Sequence, residues 1–82
     1  MGPMQFGDMK VGDSAIVLNV GGEGALRKRL LDLGITKGTR VTMARIAPFG
    51  DPIEIQLRGY RLTLRKSESA IVEIGPVPED SE

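Results

Sequence analysis

The chain has 82 residues, enough for one domain with a modest core, and it contains no cysteine and no histidine. Disulfide bonds, imidazole bases, thiolate nucleophiles and soft metal ligands are therefore excluded, and a catalytic role is not expected. The formal net charge is +0, but all 11 basic residues lie within residues 10–66, which hold only five of the 11 acidic ones. The excess of basic residues in this region favours an anionic partner, although a solvated surface of mixed charge is the simpler explanation of the charge distribution. No apolar run reaches the ~20 residues of a membrane span, and no signal peptide is recognisable.

The first elements predicted along the chain are a strand and a helix. A nearly continuous apolar run predicts a strand over residues 14–20. The strong helix formers of residues 25–33 predict a short helix that ends at Gly34, because glycine accepts the left-handed conformation of a helix C-cap. The glycine-rich residues 21–24 lie where phosphate-binding loops lie, but they lack the spacing of such motifs. A plain turn is therefore favoured there.

The predicted helix carries a stripe of leucines. At about 100° per residue, Leu26, Leu30 and Leu33 fall on one face and are predicted to pack against the core. Leu31 lies outside that face, so it is either covered by a neighbouring loop or available to a partner. The basic residues 27–29 fan out around the helix, which favours a solvated flank over a phosphate site.

Strict alternation over residues 53–65 predicts a β-hairpin, preceded by a strand over residues 40–47. The turn is placed at Gly59, with apolar residues of both arms on one face and polar residues on the other. Three arginines of the polar face could bind nucleic acid together, but such binding uses stacked aromatic side chains. The arginines are Arg58, Arg61 and Arg65, and the chain's aromatic residues are Phe6, Phe49 and Tyr60. With so few aromatics, nucleic-acid binding is not expected.

A stiff loop of two prolines and one glycine, residues 47–52, precedes the hairpin. Its aromatic residue, Phe49, either folds back to cover an open barrel end or anchors a protein partner. The carboxylates of Asp51 and Glu54 lie near this turn and could contact a hard cation, but a cation site needs about six oxygen ligands. Capping of its own turn is the favoured role of Asp51.

A helical turn over residues 66–70 and a strand over residues 70–74 complete the predicted elements. Five short strands and one early helix indicate a mainly β chain that forms a small barrel. The domain is expected over residues 11–74. Residues 1–10 form an expected N-terminal extension, whose first three residues are typical of a cloning remnant, and residues 75–82 form an expected frayed acidic tail.

Several of these segments form a longer pattern, and its parts are residues 26–35, 37–39, 47–55, 58–66 and 70–72. In order and spacing they resemble the FeoA family, small proteins associated with the bacterial ferrous-iron transporter FeoB. The resemblance implies an SH3-like β-barrel of about five strands, with no catalytic activity and no cofactor. It also implies a cytoplasmic protein that supports or regulates ferrous iron uptake by binding the cytoplasmic part of the GTP-hydrolysing transporter.

The resemblance and the residue patterns together predict a binding module, recruited by its partner to the inner face of the membrane. The partner-binding residues are predicted to be Arg27, Leu31, Phe49, Tyr60 and Arg61. Self-association through an edge strand or the loop aromatic is a further option. Two alternatives remain open: a metal-responsive sensor or carrier that uses the two carboxylates of the loop, and a small barrel that binds nucleic acid.

Overall fold

The computed structural model describes residues 4–78. It confirms the predicted five short strands and one early helix. In chain order the elements are a 3₁₀ turn (Phe6–Asp8), β1 (Ser14–Val20), α1 (Ala25–Asp32), β2 (Arg40–Ile46), β3 (Ile53–Leu57), β4 (Tyr60–Leu64), α2 (Lys66–Ser69) and β5 (Val72–Gly75). The predicted cloning remnant and residues 79–82 of the predicted acidic tail lie outside the described residues. Within residues 4–78, neither helix has the length and apolarity needed to cross a membrane.

The five strands form one antiparallel sheet in the order β4-β3-β2-β1-β5. The register shifts in β1 between Val17 and Asn19, and in β2 between Met43 and Arg45. Irregularities of this kind bend a strand and increase its twist, so they help the sheet to wrap around one core. Within residues 4–78 no ladder joins the two edge strands, β4 and β5, so the barrel stays partly open.

The predicted hairpin is present, with its apolar face turned inward. In β3 the apolar residues Ile53, Ile55 and Leu57 are buried. Between them, Glu54 is half-buried and Gln56 is exposed. Alternate residues of a strand point to opposite faces, so this register places one side of β3 in the core. The core is a single cluster, and its fully buried members include Val17, Leu30, Ile35, Val41, Met43, Ile55, Leu64, Val72 and Ile74.

Part of the segment expected as an N-terminal extension packs into this core. Phe6, in the 3₁₀ turn, and Met9 are both buried. Met4 exchanges two main-chain hydrogen bonds with Ile74, each of 2.8 Å, and so covers part of the outer edge of β5. Isolated apolar residues show no periodicity in a sequence, which is why their burial was not predicted.

Helix α1 ends in a Schellman motif. The N–H of Ile35 donates to the carbonyl of Leu30 and the N–H of Gly34 donates to that of Leu31, both at 3.0 Å. Gly34 follows the C-cap residue and has a φ of 102°, the left-handed conformation that was predicted for this glycine. Leu30 is fully buried, and Leu26 packs against the core as predicted. Leu33 is half-buried and lies at the C-cap, one residue beyond the helix.

Candidate functional site

The loop of residues 47–52 holds the most exposed large apolar side chain among residues 4–78. Phe49 is 97% exposed. The loop is closed by two main-chain hydrogen bonds, from Gly50 N–H to the Ala47 carbonyl (2.8 Å) and from Ala47 N–H to the Pro52 carbonyl (3.1 Å). The Asp51–Pro52 peptide bond is cis. Phe49 therefore does not cover the barrel end, and of the two predicted placements only the solvent-facing one remains.

The buried aromatic residue near this loop is Phe6. An open groove next to the loop is lined mainly by apolar residues from the 3₁₀ turn, β2 and β3, together with α2. Its lining is Phe6, Gly7, Met9, Ile46, Gly50, Ile53, Lys66 and Ser69. A carboxylate oxygen of Asp51 accepts a hydrogen bond from the main-chain N–H of Lys66 at 2.8 Å and ties the loop to α2. Phe49 thus stands on a fixed loop beside an apolar groove.

A second surface forms where α1 ends and the hairpin turns. Tyr60 is 41% exposed, and its hydroxyl donates a hydrogen bond to the carbonyl of Leu33. Leu31 is half-buried and packs against the core, so only part of its side chain faces solvent. We call Leu31, Leu33 and Tyr60 the helix-end surface.

The two surfaces lie at opposite ends of β3. The Phe49 loop leads into Ile53, whereas Tyr60 pairs with Leu57 at the other end of the strand. A five-residue strand spans about 13 Å between its first and last residues. The five predicted partner-binding residues are therefore distributed over two regions.

The two basic residues of the predicted site make their own contacts. The Nε of Arg27 donates to the carbonyl of Val20 at 3.1 Å. The guanidinium of Arg61 lies 3.5 Å from a carboxylate oxygen of Glu54. Both arginines are exposed, so they can still contribute to the electrostatic field of the surface.

The two carboxylates considered for a cation are both engaged within the fold. Asp51 binds the N–H at the start of α2, and Glu54 pairs with Arg61. Among residues 4–78 there is no cluster of three or more acidic side chains that could hold a metal ion.

The prediction that Arg58, Arg61 and Arg65 share a free polar face is wrong. Arg58 lies in the two-residue turn between β3 and β4 with a φ of 48°, and its guanidinium turns toward the segment after α1. Its Nη2 donates to Oγ1 of Thr39 at 2.9 Å and lies 3.4 Å from Oγ1 of Thr36. Sequence reasoning missed these threonine contacts because it placed the turn at Gly59, and the alternation that continues through Arg58 assigned this residue to the polar face of the hairpin.

An ion pair joins the two helices. Arg29 of α1 and Glu68 of α2 are 2.6 Å apart. The N–H of Arg65, 2.8 Å from Glu68, and the Arg29 guanidinium both stabilise the charged carboxylate and lower the pKa of Glu68 below its ordinary value of 4.5.

The sequence of the chain is similar to one known protein family and to a relative that contains the same domain. The family model described as FeoA domain matches residues 4–76. A Fe(2+) transport protein A/Fe(2+) transporter FeoB fusion protein of Porphyromonas gingivalis is 32% identical over 71 residues, which is 87% of this chain. The chain spans only 8% of the length of that relative.

Two solved structures show the same fold over most of the chain. The solution structure of a FeoA-like protein from Clostridium acetobutylicum has a TM-score of 0.83 and 31% identity, covering 100% of this chain and 96% of its own. The crystal structure of FeoA from Stenotrophomonas maltophilia, complexed with zinc and described as an SH3 domain protein, has a TM-score of 0.76 and 32% identity. That similarity covers 87% of this chain and 88% of the other. The predicted SH3-like fold is confirmed.

Proposed function

The chain belongs to the FeoA domain family, and we propose that it acts in ferrous iron uptake as an accessory, non-enzymatic protein. In this proposal it binds the cytoplasmic part of a FeoB-type transporter and is held by that partner at the inner face of the membrane. The observation that carries the proposal is the Porphyromonas gingivalis relative, whose name joins Fe(2+) transport protein A and transporter FeoB in one polypeptide. Fusion keeps two modules at high effective concentration, so separate chains need a binding surface to achieve the same association.

We propose that the Phe49 loop is the main part of this surface. An exposed aromatic side chain on a loop that is already hydrogen-bonded loses little conformational entropy when it docks. Aromatic side chains that enter a pocket of the partner are also typical of interface hot spots. Phe49 is an exposed aromatic side chain on such a loop, whereas Leu31 partly packs against the core.

The helix-end surface and the two arginines have a supporting role in the proposal. Tyr60 and the exposed part of Leu31 would extend the contact at the other end of β3. Arg27 and Arg61 would steer the approach of an acidic partner face, which raises the association rate more than the affinity.

Co-purification with the cytoplasmic domains of the transporter tests the proposal. We expect wild-type protein to be retained and Phe49→Ala to be retained at least tenfold less, the loss typical of a hot-spot residue. Val11→Ala is the matched control because Val11 is also an exposed apolar residue, at 61%. Equal recovery of wild type, Phe49→Ala and the double variant Leu31→Asp/Phe49→Ala would overturn the assignment of this surface.

A further inference from the structure

Two arginines lie near each other where β3 turns into β4. Arg40 begins β2, and Arg58 lies in the turn that follows the last residue of β3. The ladder between β2 and β3 ends at the pair of Thr42 and Gln56, and both arginines lie just beyond it, in the lining of one groove. Like charges that are close together repel each other, so such a pair needs an explanation.

Both arginines line the same open groove. Its other lining residues are neutral, and they are Thr42, Gln56, Leu57 and Gly59. The ion pairs present within residues 4–78 are Arg29–Glu68 and Arg61–Glu54, and neither involves Arg40 or Arg58. The groove therefore carries two positive charges without a carboxylate of the fold to balance them.

The guanidinium of Arg58 is held in place by neutral partners. Its Nη2 donates to the hydroxyl of Thr39 and lies near that of Thr36. The hydroxyl of Thr39 also lies 3.0 Å from that of Thr36, and Thr39 is buried. These contacts restrict the guanidinium without neutralising it, and the N–H groups on its other nitrogens stay available to a ligand.

An arginine at this turn position is also conformationally unfavourable. The turn has positive φ at both central residues, 48° at Arg58 and 87° at Gly59, as in a type I′ turn. Asparagine, aspartate or glycine normally fills the first of these positions. Arg58 is the one non-glycine residue with positive φ in the described part of the chain, which suggests that its charge has a use.

We propose that the groove between Arg40 and Arg58 is a binding site for an oxyanion, either a phosphate group or a carboxylate. The planar guanidinium groups would donate to its oxygens, since they match phosphate and carboxylate geometry. The amide of Gln56 supplies a further polar group on the same side, next to the hydroxyl of Thr42, which is hydrogen-bonded to that of Ser14 at 2.8 Å. Neither arginine belongs to the Phe49 loop, and anion binding is tested on the chain without the transporter. Arg58 borders the helix-end surface, since its Cδ and the Tyr60 hydroxyl both lie within 4 Å of a Cβ placed at Gly34.

Titration of the ¹⁵N-labelled full chain with inorganic phosphate and, separately, with succinate tests this site. Ionic strength is kept constant with sodium chloride, and the Nε–Hε signals of arginine and the Gly59 amide are followed. We expect saturable shifts at Arg40, Arg58 and Gly59. Saturation by phosphate alone assigns the ligand as a phosphate group, saturation by succinate alone as an acidic side chain, and saturation by both as either oxyanion.

Two variants separate a specific site from general charge attraction. Arg40→Gln is expected to weaken binding at least tenfold. Arg45→Gln removes the same charge from the same strand outside the groove, and should leave the affinity within twofold of wild type. The proposal is overturned if neither anion gives saturable shifts, or if Arg45→Gln weakens binding as much as Arg40→Gln.

Discussion

The hydroxyl of Tyr60 donates a hydrogen bond to the main-chain carbonyl of Leu33, and this contact joins the start of β4 to the end of α1. The Schellman motif satisfies the carbonyls of Leu30 and Leu31, and the tyrosine hydroxyl satisfies that of Leu33 at the C-cap. The contact depends on the absence of a side chain at Gly34, because a Cβ there would lie 2.7 Å from the Tyr60 hydroxyl oxygen.

Gly34→Ala is therefore expected to destabilise the fold for two reasons. The first is the left-handed backbone, at about 1–2 kcal/mol, and the second is the clash with Tyr60. Gly38→Ala is the matched control, because Gly38 has a φ of 90° and nothing within 4 Å of an added Cβ. Urea denaturation should show a larger loss for Gly34→Ala than for Gly38→Ala.

A double-mutant cycle identifies the clashing group. In a Tyr60→Phe background the hydroxyl is gone, and the nearest remaining atom is a Leu57 methyl at 3.6 Å. The cost of Gly34→Ala should then fall to about that of Gly38→Ala. An unchanged cost in the Tyr60→Phe background would contradict the assignment of the clash to the hydroxyl.

The ion pair between α1 and α2 predicts a pH dependence of stability. The folded state lowers the pKa of Glu68 below 4.5, so its contribution to stability is present above that pH and is lost as the pH falls through the folded pKa. The free energy of unfolding of wild type should exceed that of Glu68→Gln near pH 7, and the difference should shrink as the pH falls below 4.5. The measurement is urea denaturation at a series of pH values.

Glu23→Gln is the control for this pH series, because it removes the same charge from an exposed turn. Arg29→Gln should remove part of the difference, since the main-chain N–H of Arg65 still binds Glu68. A difference between wild type and Glu68→Gln that does not depend on pH would contradict the ionised pair.

Arg40 and Arg58, which line the proposed oxyanion site, have no carboxylate partner among the described residues. Their repulsion predicts a stabilising substitution. Arg40→Gln should raise the free energy of unfolding by about 0.2–1 kcal/mol at low salt, because it removes a like charge from the groove that Arg58 also lines. The gain should diminish with added salt or with saturating phosphate or succinate, which screen or balance the charges. Arg45→Gln should not stabilise the protein, because Arg45 lies opposite an acidic residue, Glu54, in the register of β2 and β3. Destabilisation by Arg40→Gln at low salt would contradict the repulsion.

Most of the fold could be predicted because the regular spacing of apolar residues indicates its strands and its helix. Alternation placed both arms of the hairpin, and the glycine after the leucine stripe placed the end of α1. The spacing of the leucines did not decide the place of Leu31, which lies outside the stripe and packs against the core. The burial of Phe6 could not be predicted, since one aromatic residue in a short segment has no period.

The surfaces were less predictable because they depend on register and turn geometry. Phe49 satisfied the sequence pattern whether it covered the barrel end or faced solvent, and only its exposure in the structure distinguishes the two placements. The distance between Phe49 and Tyr60 follows from the pairing of β3 with β4, not from their proximity in sequence. The turn conformation likewise removed Arg58 from the polar face of the hairpin.

The most direct test of the central claim is a titration of the ¹⁵N-labelled protein with the cytoplasmic domains of a FeoB-type transporter. Saturable amide shifts are expected, largest in residues 47–52 and in the groove beside them, and they should be lost in Phe49→Ala but not in Val11→Ala. Absence of saturable shifts, or shifts that leave residues 47–52 unchanged, would contradict the claim.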